Sequence, residues 1–170
     1  MSRFMYVLSF FLLLLFQVLV SKSIALWGIV TPMAYILFIL ILPFQMPKWQ
    51  VVVLGFVMGI SVDLFTGIMG QHAAASLLIA FLRTIIVSVI PTNIKFEDHL
   101  RPILWDMHFV WYFQYVLYLT LIHHVTFFLL DSMSVINLFI ILGISLLNTV
   151  FTVLLIFVFQ VIFFKPSSRY

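Results

Sequence analysis

Five polar side chains stand out of an otherwise apolar chain: Gln17, Asp63, His72, His123 and His124. A carboxylate with three imidazoles could pass protons, hold a metal ion, or fasten neighbouring segments by hydrogen bonds. Asp63, His72, His123 and His124 would make only a thin proton relay. Two histidines on one helix ligate a metal at i, i+4 spacing. His123 and His124 are adjacent and point about 100° apart, so no metal site is expected. Two further polar residues, Arg83 and Asn148, fall in the middle of apolar runs. The chain has no Gly-x-Ser-x-Gly, no His-Glu-x-x-His, no glycine-rich phosphate loop and no second carboxylate beside Asp63. An enzyme and a cofactor are therefore not expected.

Asp63 belongs to a pattern. Gly55, Gly59, Asp63 and Gly67 recur every four residues, followed by Gly70. That spacing places three hydrogen-only positions and one carboxylate along one slowly drifting stripe of a helix. Gly55 and Gly59 form a Gly-x-x-x-Gly pair, which allows close packing within the chain or docking of another protein's membrane helix. Gly67 and Gly70 bracket a short connection that can require positive φ.

The elements that carry these residues follow from composition. The chain has 170 residues, 65% hydrophobic and 8% charged. A soluble domain carries about 25% charged residues. So few charges cannot cover a water-facing surface, and a single multi-pass membrane domain over residues 1–170 is expected. There are no cysteines, which excludes disulfides and thiolate chemistry.

Six apolar runs approach the roughly 20 residues that a membrane helix needs. They are Phe4–Val20, Gly28–Phe44, Trp49–Thr66, Gln71–Ile90, Asp106–Leu130 and Val135–Phe164. The second is bracketed by Pro32, Pro43 and Pro47. With six spans and a cytoplasmic N-terminus, Arg3, Lys48, Lys95, Arg101, Lys165 and Arg169 lie inside, and only Lys22 lies outside. Both termini are then cytoplasmic. Without the second span, most of these cations move outside. Ser23-Ile24-Ala25 resembles a signal cleavage site, but the first segment reads as an uncleaved helix.

Position along each helix gives depth. Gln17, Asp63, His72, His123 and His124 form an outer polar layer, which reads as interhelical hydrogen bonds or as a polar cavity or partner notch. Arg83 either snorkels to the inner phosphates or turns inward to Asn148. The inner loop holds Lys95, Glu97, Asp98, His99 and Arg101, and Glu97 and Arg101 suit a short exposed helix. Trp105, Trp111, Tyr112 and Tyr115 read as an aromatic belt at the inner interface. The inner cations would set topology and touch anionic lipids, and no nucleic-acid binding is expected.

The run from Leu54 to Gly67, with Gly70-Gln71-His72-Ala73, resembles the MreD family of rod shape-determining membrane proteins. Gln17, Pro32 and Asn148 also sit where that family tends to carry such residues. The Phe-rich composition and the His123-His124 pair are similar to Bacteroidetes-type members. The resemblance implies a six-helix bundle like the substrate-binding subunit of energy-coupling-factor transporters, in the bacterial inner membrane. It also implies a non-enzymatic scaffold of the cell-elongation complex, which organises lateral peptidoglycan synthesis and cell shape. Its partner would be MreC, and through it MreB, RodA and its transpeptidase. The hairpin around Asp63 becomes the candidate for architecture or docking, with Gly59→Leu expected to abolish MreC recovery if the stripe is a docking surface. The alternative is a solute-binding subunit of a vitamin or metal transporter, whose ligand would enter through the outer layer.

Overall fold

The computed structural model describes residues 3–21, 30–68, 70–91, 101–132 and 137–164. Six α-helices form, and no strand forms among the described residues: α1 (Arg3–Phe16), α2 (Ile36–Leu40), α3 (Lys48–Thr66), α4 (Gln71–Val89), α5 (Phe109–Asp131) and α6 (Leu138–Phe163). Helices α3 to α6 are long and apolar enough to cross a membrane, while the apolar run of the first segment, Phe4–Leu19, is shorter. Large apolar side chains such as Phe11, Leu64, Phe81 and Phe139 cover the outside, while polar ones such as Gln17, Asp63, His124 and Asn148 are buried. That arrangement suits a protein whose solvent is lipid.

Each boundary has a local cause. Helix α1 runs on as a π-helical turn over Gln17–Ser21. Helix α3 ends at Gly67, whose φ of 73° is left-handed and whose N–H returns to the Asp63 carbonyl at 2.9 Å. Gly70, with φ 79°, then opens α4. Helix α4 stops just before Pro91, and Asn137 caps α6 by accepting from the Phe139 N–H at 3.0 Å. Helix α5 begins at Phe109, three residues later than Asp106. Asp106 instead sits in the preceding loop, paired with Arg101 at 2.7 Å.

The second apolar run departs most from its expected form. Over the described part of Gly28–Phe44, residues 30–44, it is not a continuous helix. From Val30 onward it is irregular, apart from the five residues of α2. The prolines supply the reason. Pro32 lacks an N–H, and the residues before Pro32 and Pro43 are pushed out of helical conformation. Every residue from Met33 to Leu42 is at most 2% exposed. An element that is apolar all round and touches no lipid is the axis of a bundle. Helix α1 packs on it through Phe10 and Phe38, whose ring centroids are 5.3 Å apart.

The aromatic belt also differs. Trp105 is partly exposed, but Trp111, Tyr112 and Tyr115 are buried; Trp111 and Tyr115 meet the second segment at Phe44 and Leu40, and Tyr112 packs on Phe157 of α6. Lys22, Ser23-Ile24-Ala25, Gly28, the run from Lys95 to His99 with its Glu97 helix, Val135, Lys165 and Arg169 lie outside the described residues.

Candidate functional site

Asp63 stands in the last turn of α3, facing the start of α4. One carboxylate oxygen accepts from the His72 backbone N–H at 3.1 Å and from His72 Nδ1 at 2.8 Å. The other accepts from the Ala73 N–H at 2.8 Å. The first N–H groups of any helix lack intrahelical partners, and α4 begins at a glycine with no side chain to serve them. Asp63 supplies that cap from the preceding helix, and its charge lies against the positive end of the α4 dipole. This is how a carboxylate is held at 3% exposure inside an apolar bundle.

The glycines make this approach possible. A Cβ on Gly59 would lie 2.5 Å from the His72 carbonyl oxygen and 2.6 Å from Ala73 Cα. One on Gly55 would lie 2.7 Å from Ala80 Cβ. The Gly-x-x-x-Gly face is therefore filled by α4 of the same chain and is not open to a partner's helix. Gly67 and Gly70 serve the turn, and a Cβ added at either would have nothing within 4 Å. The four-residue pattern is one device: two positions for close packing, one for capping and one for turning.

The rest of the outer layer, together with Asn148 and Thr152 of α6, fastens the axial segment. Asn148 Oδ1 accepts from the Thr31 N–H at 2.8 Å, and Thr152 Oγ1 accepts from the Met33 N–H at 3.1 Å. Gln17 Nε2 donates to the Pro32 carbonyl at 3.4 Å. Three consecutive residues of irregular backbone thus find partners on α6 and on the π-helical turn. His124 Nδ1–H donates to the Thr120 carbonyl at 2.8 Å, leaving Nε2 to accept from the Thr152 hydroxyl at 3.3 Å. His123 Nε2 and the Tyr35 hydroxyl are 2.7 Å apart.

All five members of the expected layer are buried, and each is bonded within the chain. Their arrangement is a run of fasteners. His72 meets Tyr35 by a ring edge at 5.7 Å between centroids. Among the described residues no direct hydrogen bond joins these two, so the Asp63–His72 pair and the Tyr35–His123 pair meet only through that ring contact. Among the described residues no three His, Asp or Glu side chains are grouped to hold a metal ion.

At the other end of the axis Arg83 turns inward, but its partner is not Asn148. Its Nε donates to the Tyr115 hydroxyl at 2.7 Å, and Nη2 donates to the Leu42 carbonyl. The Tyr115 hydroxyl donates in turn to the Leu40 carbonyl at 3.0 Å. The broken segment is therefore held at both ends by side chains that accept its N–H groups or donate to its carbonyls.

Residue type alone does not single out Thr152, Tyr35 or the inward role of Tyr115. For Thr152 a signal exists. Ser145, Asn148, Thr149, Thr152 and Gln160 lie at helical spacing along one face of α6, all buried. Gln160 extends that face to the loop before α5, where its Oε1 accepts from the Leu104 N–H at 3.3 Å and its carbonyl from Trp105 Nε1 at 3.3 Å. The chain matches no protein-family model, no curated protein and no solved structure.

Proposed function

We propose that this chain is an MreD-like, non-enzymatic scaffold of the bacterial cell-elongation complex. It sits in the inner membrane with both termini cytoplasmic, and the first segment and the broken axis complete six crossings. It binds MreC and through it MreB, RodA and its transpeptidase. The observation that carries this reading is a convergence. Gln17, Pro32 and Asn148, which lie far apart in sequence and share the resemblance, meet at one point, where Gln17 serves the Pro32 carbonyl and Asn148 the adjacent Thr31 N–H. Gln17, Asp63, Arg83, Asn148 and Thr152 are engaged in holding backbone, which favours a rigid platform.

The partner's surface lies away from the Gly55–Gly59 face, because α4 covers that face. Gly59→Leu is accordingly expected to unfold the hairpin rather than remove one contact. Depleting the chain in its native host tests the proposal. Rounded cells with scattered sites of new wall synthesis are expected. Unchanged cell shape and wall pattern under full depletion would contradict it.

A further inference from the structure

A cavity of about 370 Å³ lies where α3 begins and α4 ends, lined by Arg83, Lys48, Thr84 and the apolar side chains of Met46, Val51 and Val87. We propose that it is a binding site for a phosphate group. This assignment is independent of the scaffold reading.

Arg83 is the first reason. It is 5% exposed, and a guanidinium stays charged in any protein environment. Among the described residues its contacts are neutral: the Leu42 carbonyl, the Tyr115 hydroxyl and the face of Phe44, 5.7 Å from the guanidinium carbon. Among the described residues no carboxylate pairs with it. Asp63 is taken by His72 and the α4 backbone, and Asp106 by Arg101. A buried charge without a counter-charge is strongly unfavourable. Nε and Nη2 are engaged, which leaves Nη1 for an incoming anion.

The rim is the second reason. Lys48 is exposed and is the first residue of α3, where a cation opposes the helix dipole and no acidic residue shares the turn. The Gln50 and Val51 N–H groups both turn back to the Pro47 carbonyl, at 2.9 and 3.3 Å. An anion at this mouth would meet the ammonium, the positive helix end and, deeper, the guanidinium. Phosphate suits such a set, since it can accept charge-assisted hydrogen bonds from both Nη1 and the Lys48 ammonium.

Depth and size are the third. Trp49, 66% exposed beside Lys48, makes with it the aromatic-and-cation pair typical of the membrane interface. The mouth therefore lies at headgroup level. The volume falls in the range of about 300–1,000 Å³ usual for small-ligand sites. Met46, Val51 and Val87 give the apolar part of a lipid a place to lie.

Native mass spectrometry of the full chain in neutral detergent tests the site. The probes are phosphatidic acid, diacylglycerol with the same acyl chains, and inorganic phosphate. Phosphatidic acid is expected to be retained and diacylglycerol lost. Lys48→Gln, an exposed change that spares the fold, is expected to weaken phosphatidic acid about tenfold, the equivalent of one charge-assisted hydrogen bond. Arg83→Lys should weaken it further, and the Lys48 variant carries the test if that protein does not fold. Displacement by inorganic phosphate would identify a site that takes free phosphate as well; no displacement would identify the lipid headgroup as the source. Equal retention of diacylglycerol, or full retention of phosphatidic acid by the folded Lys48→Gln protein, would overturn the assignment.

Discussion

Removing the Asp63 carboxylate leaves the buried His72 and Ala73 N–H groups and the His72 ring without their acceptor. Loss of a helix cap with a charged hydrogen bond corresponds to about 2 kcal/mol. Asp63→Ala is therefore expected to lower the stability of the purified chain by about that amount in a thermal or denaturant melt. Asparagine keeps one oxygen acceptor but turns its NH2 toward the other N–H donor, so Asp63→Asn should lose about 1 kcal/mol, less than alanine. If the two variants melted together, capping would not be what Asp63 does. The residue type and its spacing were legible in the sequence. Its partner was not, because the acceptor serves a backbone that becomes a helix end only after the Gly67–Gly70 turn has formed.

At the scale of elements, the glycines make a graded test. Alanine is better than glycine in a helix by about 1 kcal/mol. At Gly143 nothing lies within 4 Å of the added methyl, so Gly143→Ala should gain up to about 1 kcal/mol of stability. At Gly55 the obstacle is another methyl, and at Gly59 it is the α4 backbone. Gly59→Ala should lose about 1–3 kcal/mol, and more than Gly55→Ala. Equal melts for all three would show that α3 and α4 do not pack as described. Thr152→Val keeps shape but leaves the Met33 N–H without its acceptor, with an expected loss of about 1 kcal/mol.

The same scale shows where sequence reading was sufficient and where it was not. The runs that became α3 and α4 were visible to within a residue or so, because continuous hydropathy and a glycine or proline marked their ends. The second run had the hydropathy of a span, but hydropathy is blind to backbone. Pro32 and Pro43 were visible as brackets, and their effect depended on side chains elsewhere able to satisfy a broken segment. Those side chains, Gln17, Asn148, Thr152, Tyr115 and Arg83, come from four other parts of the chain. The inward turn of Trp111, Tyr112 and Tyr115 was hidden for a related reason: an aromatic near a membrane interface looks the same in sequence whether it faces lipid or the inside of the bundle.

Among the described residues, large apolar side chains lie on the outside, and buried polar side chains of the surrounding helices clasp an apolar, irregular axial segment. Such a platform can present lipid-facing helices to a partner without moving parts, which is the physical content of the scaffold proposal. Co-purification of MreC with the tagged chain from detergent-solubilised membranes tests it most directly, using the wild-type protein and Asp63→Asn side by side. The account predicts MreC in both eluates in equal proportion to folded protein. A wild-type chain that remains folded and brings down no MreC would contradict it.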